Sequence, residues 1–230
     1  FESLKKERLK RNTLDFDLPE QKVIFNDKNH IESIKNRPRF DSHRLIEEFM
    51  IAANVAAAQA LTELNAPCIY RVHDQPPLSK LETLRSYLKA LGYKLSKSRR
   101  MTPQNFQQIL DKSKGTDHEH AIATVILRTQ SQAEYSQENI GHFGLNLQRY
   151  SHFTSPIRRY SDLLVHRSLI KHLNLGQDGL ATDEVDRFPQ ISDQVSKNER
   201  RATLAEREAL DRYMAIYMCD KKGAMFDAKV

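Results

Sequence analysis

Leu45, Ile46, Phe49, Met50, Ala53 and Ala57 recur at the spacing of one helical face, which predicts a long amphipathic helix over residues 43–63. Such a stripe needs other elements to cover it, and 230 residues are enough to build a sizeable core, most simply as one large domain. A second long helix is predicted from about Ile191 to Met218. There Val195, Ala202, Ala205, Ala209, Tyr213 and Ile216 form the apolar stripe of an otherwise charged segment. Strand signals are short by comparison: Thr13–Leu18, Lys22–Asn26 and Ile31–Asn36, punctuated by Pro19 and by Asn26-Asp-Lys-Asn29. The fold class that follows is α+β, mixed and helix-rich.

The remaining elements are read from their ends. Residues 1–12, with Lys5, Lys6, Arg8, Lys10 and Arg11, form the end of a basic helix. Pro67 closes the 43–63 helix and Cys68–Val72 makes a short buried strand. Ser79 and Glu82 have the capping-box spacing and open a helix to about Leu91. Thr102-Pro103 starts another helix, and Thr116 with Glu119 a third that runs through Ile122, Val125 and Ile126. Asn174–Gly179 is a loop.

The net charge of +6 and isoelectric point near 9.2 favour a polyanionic partner. Nucleic acid fits better than a membrane, since no stretch approaches the ~20 apolar residues of a spanning helix. Cys68 and Cys219 lie far apart and form no CxxC, so a reducing cytoplasm is the expected compartment. His118 and His120 have the spacing of a metal pair but no third ligand near them, and are read as ordinary helix-start residues.

The stretch richest in chemistry is His152-Phe-Thr-Ser-Pro-Ile-Arg-Arg-Tyr-Ser-Asp162, continuing Leu-Leu-Val-His-Arg167. Ser155 suits an N-cap and Pro156 the first helical position, predicting a helix from there to Leu173 with Arg158 and Arg159 in its first turn. The helix dipole disfavours cations there, so arginines in that place imply an anionic ligand such as a phosphate. The plain alternative is that Tyr160 and Asp162 satisfy them, Asp162 standing four residues after Arg158.

This string closely resembles the signature of the ribonuclease II / ribonuclease R family, 3′→5′ exonucleases of RNA, and the Arg-Arg-Tyr form is nearer the ribonuclease R type. His43-Arg-Leu-Ile-Glu-Glu-Phe-Met-Ile-Ala-Ala-Asn54, Ile69-Tyr-Arg-Val-His-Asp74 and His142-Phe-Gly-Leu145 match the same family in order and approximate spacing. The resemblance covers nearly the whole chain. It implies processive hydrolysis of single-stranded RNA to nucleoside 5′-monophosphates, with Mg²⁺ held by an aspartate cluster that the family carries before the part matched by Phe1. Residues 1–222 then correspond to the C-terminal part of the catalytic domain, its sheet completed by the N-terminal half. Residues 223–230 correspond to the first strand of a following oligonucleotide-binding barrel. A fragment without the aspartate cluster is expected to be inactive alone.

The resemblance also implies roles residue by residue. Arg158 matches the arginine that contacts the scissile phosphate, and Glu206 a glutamate near the RNA 3′ end. The bland reading of Glu206 is a solvated acid among Arg200, Arg201 and Arg207. Glu47 matches a glutamate that contacts ribose, with Glu48 as the neighbouring choice. Phe16 matches an aromatic that stacks on terminal bases, against a plain core role. Arg159, Tyr160 and His152 complete the nucleic-acid-binding set, Arg159 also being suited to an internal pair and Tyr160 to packing beneath the arginines. His152 and His166 are read first as orienting the arginine helix. The expected partner is a single-stranded RNA 3′ end, with other RNA-decay factors and no membrane, and the full-length protein is expected to be a monomer. A catalytically silent RNA-binding scaffold of the same fold is the alternative.

Overall fold

The computed structural model describes residues 2–16, 20–219 and 221–225. Two units are distinguished, Phe1–Leu18 with Phe40–Ser196, and Pro19–Arg39 with Lys197–Val230. The mixed, helix-rich class holds throughout.

In the first unit, α1 (Glu2–Arg11) leads into residues 13–16, which form no strand. Their polar groups bond to loops and a helix instead: Leu14 N–H donates to the Gly144 carbonyl (3.0 Å), and Asp15 N–H to Gln107 Oε1 (3.1 Å). Asp17 and Leu18, the end of that predicted strand, lie outside the described residues. The 43–63 helix is α2 (Asp41–Glu63). Asn65 in the left-handed region ends it, with Ala66 N–H returning to the Leu61 carbonyl, before Pro67 is reached.

By length and composition α2 would suffice to cross a bilayer, contrary to the expectation that no stretch comes close. Here it is a core helix: Ala57, Ala58 and Leu61 are buried with Cys68, Tyr70, Val72 and Val165. Its first half carries Glu47 and Glu48 in ion pairs with Arg8.

Three helices, α3 (Leu78–Ala90), α4 (Pro103–Ser113) and α5 (Glu119–Thr129), pack around Leu81, Leu84, Leu88, Phe106, Ile109, Ile122 and Ile126. The expected Ser79–Glu82 box is not the cap of α3; Pro77 stands there, its carbonyl accepting from Leu81 N–H (3.0 Å). Glu119 instead accepts from Gly115 N–H (2.7 Å) in front of α5.

The Cys68–Val72 strand is β3 (Tyr70–Val72), paired antiparallel with β4 (Glu134–Ser136), an element the sequence did not announce. Helix α6 (Tyr160–His172) packs on α2, and α7 (Thr182–Asp186) leads to α8 (Phe188–Cys219). Ile69, Tyr135, Leu164, Leu180 and Phe188 close a third core.

The second unit holds the antiparallel pair β1 (Gln21–Phe25) and β2 (Ile31–Asn36), with Val23 opposite Ile34, close to the predicted bounds. Asn26 Oδ1 accepts from Lys28 and His30 N–H and Asn29 turns the chain at φ 58°, which explains why that Asn-rich run reverses it. Phe25 meets Tyr213 of α8 edge to face at 5.3 Å. Residues 226–230, most of the predicted barrel strand, lie outside the described residues.

Candidate active site at the arginine turn

The arginine string does not start a helix at Pro156. Ser155–Arg159 form a turn, with the Ser155 carbonyl accepting from Arg158 and Arg159 N–H at 3.2 and 3.0 Å, and α6 begins at Tyr160 with Arg159 as its N-cap. Neither arginine therefore stands inside the first helical turn. The acid of that turn is Asp162, where the dipole favours it, and no arginine stands within the first turn against the dipole, contrary to the expectation.

The two arginines differ in environment. Arg159 lies bidentate on Asp162, Nε to Oδ2 at 2.9 Å and Nη2 to Oδ1 at 2.8 Å. Asp162 is fully buried and also accepts from Ser155 N–H (2.8 Å). Arg158 is exposed, and its guanidinium makes no hydrogen bond or ion pair among the described residues. Asp162 thus pairs with Arg159, not with the arginine four residues before it. Tyr160, the first residue of α6, is 46% exposed.

Behind the turn lies a polar-aromatic network joining all four family-like strings. Asn54, at the end of the first, is buried; its Nδ2 donates to Tyr150 Oη (3.0 Å) and its Oδ1 accepts from Phe153 N–H (2.9 Å). Arg71, in the second, donates its backbone N–H to the Tyr150 carbonyl and places its guanidinium 4.6 Å over the Tyr135 ring. His73 Nδ1 accepts from Gly144 N–H (2.8 Å), so Nε2 carries the hydrogen and donates to the Ser131 carbonyl (2.8 Å). A Cβ at Gly144 would lie 3.1 Å from that imidazole nitrogen, close enough that the His73 ring would have to give by a few tenths of an ångström. The rings continue from His73 to His142 (5.1 Å), to Tyr150 (5.4 Å) and to His152 (5.7 Å), whose Nδ1 meets Tyr135 Oη at 2.9 Å.

The electrostatics follow from burial and from the guanidinium groups. Burial, then Arg159, Arg71, His142 and Arg158, push His152 down to about 2. Burial, then His73 and Arg71, push His142 down to about 3. Both stay neutral where histidine ordinarily charges. His152 Nδ1 bonds Tyr135 Oη (2.9 Å), and His166 of α6 bonds the Phe153 carbonyl (2.8 Å) and stacks on the Phe153 ring at 4.2 Å.

The other candidates are placed as follows. Glu48, not Glu47, is the buried acid; it takes Arg8 Nη1 at 2.7 Å and Arg11 Nη2 at 3.7 Å. Glu47 is part-exposed, 3.6 Å from the same Arg8 nitrogen. Phe16 packs partly buried against the core of α3–α5. Glu206 is exposed on α8 in the second unit. Among the described residues no group of three or more His, Cys, Asp or Glu could hold a metal ion. Beside these residues a cavity of about 660 Å³ is lined by His73, Asp74, Gln75, Asn139, His142 and Gln148.

Sequence reasoning missed Tyr135, Tyr150 and the structural use of Asn54 and Arg71. Asn54 and Arg71 sit inside strings already singled out, while Tyr150 lies two residues before His152.

Residues 1–175 match the RNB domain family. A ribonuclease R of Aquifex aeolicus (strain VF5) is 40% identical over 226 residues, which are 98% of this chain and 32% of that protein. The solved structure of Mycoplasma genitalium RNase R in complex with ribose-methylated single-stranded RNA superposes with a TM-score of 0.87 at 28% identity, over 96% of this chain and 35% of that one. Yeast Ssd1, a pseudonuclease, shares the fold at a TM-score of 0.58 and 24% identity, over 70% of this chain and 20% of that one. The chain spans about a third of the length of the ribonuclease R relatives it matches. With most of its residues covered by the domain and its motifs gathered around one turn, the chain belongs to the RNB domain family.

Proposed function

We propose that the protein is a processive 3′→5′ exoribonuclease of the ribonuclease R type, acting on single-stranded RNA and releasing nucleoside 5′-monophosphates. The observation that carries this reading is Arg158, an exposed guanidinium without a partner among the described residues, at the tip of a turn whose second arginine is locked internally. A planar guanidinium can grip a phosphodiester through two hydrogen bonds and offset the charge that develops when it is attacked. Glu47, part-exposed on α2, is assigned a hydrogen bond accepted from a ribose hydroxyl, which would favour RNA over DNA. Glu206 is assigned the same kind of contact near the 3′ end.

The proposal includes Mg²⁺, which no group of three or more His, Cys, Asp or Glu among the described residues fits, so that its ligands are other acids of the protein. Both cysteines are free, in keeping with a cytoplasmic setting. A silent RNA-binding scaffold remains the second reading, because the fold is shared with a pseudonuclease.

The test uses the protein at its natural full length, a duplex RNA with a 3′ single-stranded tail, and Mg²⁺. Shortening from the 3′ end to mononucleotides is expected, and Arg158→Ala should lower turnover by ~10²–10³-fold while leaving RNA affinity largely intact. Internal cleavage products would refute the exonuclease reading, and tight binding with no shortening would favour the scaffold.

A further inference from the structure

We propose that Asp162 is a positioning residue that divides the labour of the two arginines, locking Arg159 so that Arg158 alone is presented to phosphate. The inference rests on the reading of Arg158 above. Asp162 has no solvent exposure, and its two oxygens accept four hydrogen bonds. Oδ1 takes Ser155 N–H and Arg159 Nη2, both at 2.8 Å; Oδ2 takes Arg159 Nε at 2.9 Å and Ser161 Oγ at 3.2 Å. Ser155 then holds the backbone of both arginines through its carbonyl.

The bonds form a closed loop. The carboxylate fixes the start of the turn through Ser155 N–H and its end through the Arg159 guanidinium. Between these two fixed points the chain carries Pro156, Ile157 and Arg158. Ile157 is fully exposed, so the tip projects from the surface rather than folding into the core. A cation at such a tip, with its neighbour neutralised, has a defined backbone origin and a free head. Without the carboxylate, Arg159 would be a second mobile cation beside the first, able to compete for the same phosphate in a nonproductive geometry. A bidentate buried pair suits this role because its two parallel bonds set orientation as well as charge.

Asp162→Asn keeps the shape and one acceptor for Ser155 N–H, but turns an amide NH₂ toward the donors of Arg159. Arg159→Lys keeps the charge and loses the fork, and serves if the first variant does not fold. Each is made alone and in the Arg158→Lys background, at natural full length, with kcat and KM measured on a tailed RNA and melting temperature recorded alongside. Positioning through Arg158 predicts a fall in kcat of ~10-fold or more with KM changed less than ~2-fold, shrinking to under ~2-fold in the Arg158→Lys background. The melting shift should be the same in both backgrounds. Equal losses of kcat in the two backgrounds, or a rise in KM alone, would overturn the assignment and leave Asp162 a fold residue. If the full-length protein binds RNA without degrading it, the exonuclease reading fails, and the same cycle read on RNA affinity decides this one: coupled effects uphold it and additive effects reject it.

Discussion

Acid should destabilise the first unit steeply below neutrality, because His73, His142 and His152 are built into the fold as neutral rings. Protonating His73 at Nδ1 would set its N–H against that of Gly144 while Nε2–H is already committed to Ser131. His142 accepts from Leu145 N–H (3.2 Å) and is pushed down to about 3, and His152 is pushed down to about 2, from an ordinary value of 6.5. These folded values lie below the unfolded one. Between about 3 and 6.5 the unfolded chain binds protons that the folded chain refuses, so stability is complete above that window and falls as pH drops through it. For one such histidine, moving from pH 7 to pH 5 removes about 2 kcal/mol, hence about 4 kcal/mol for His142 and His152 together. In a unit of this size that is a fall in melting temperature of roughly 8–15 °C. Thermal unfolding followed by circular dichroism at the two pH values and constant ionic strength measures it. Combining His142→Gln with His152→Gln should remove most of the pH dependence while lowering stability at pH 7. A fall below about 3 °C in the parent protein, or an undiminished fall in the double variant, would show that these rings take up protons without opening the network.

The paired acids of α2 should separate function from stability. Glu47→Ala should narrow the preference for RNA over DNA with melting nearly unchanged, whereas Glu48→Ala should cost about 3 kcal/mol by leaving Arg8 and Arg11 without their buried partner. Competition binding with matched RNA and DNA oligonucleotides and a melting curve decide both. Asn54→Ala should destabilise by about 2–4 kcal/mol, since it orphans Phe153 N–H and removes the donor to Tyr150. Hydrogen exchange at Phe153 should accelerate with it, and unchanged exchange would place the support of that segment elsewhere.

What the sequence revealed and what it hid follow from the range of the forces involved. The extents of α2 and α8 were legible because apolar residues recur there at helical spacing, but the buried faces were not. Helix α2 buries Glu48, Ile51, Asn54, Ala57, Ala58 and Leu61 while Ile46 and Phe49 are exposed, and Ala202, Ala205, Ala209, Tyr213 and Ile216 of the α8 stripe are exposed. The β1–β2 hairpin was legible because Asn26 and Asn29 carry the turn chemistry locally. Strand β4 was not, since three residues have no period and acquire strand geometry only by pairing with β3 across the fold. Likewise Asn54 reaches Tyr150 from 96 residues away, a relation that no local pattern encodes.

The misplaced start of α6 is more instructive, because every residue involved lies within eight positions. Ser155-Pro156 satisfies the local rule for an N-cap and first turn, and a free peptide would have reason to begin a helix there. Asp162 offers a competing arrangement in which a single carboxylate takes Ser155 N–H and the whole Arg159 fork. Burial decides between the two: a fully desolvated carboxylate must be neutralised and fully bonded, whereas a lost helical turn at the surface can be repaid by water. The motif is therefore better understood as a buried acid that builds a turn than as a helix that carries two cations. On that account Arg158 owes its availability for phosphate to a residue that need never touch RNA.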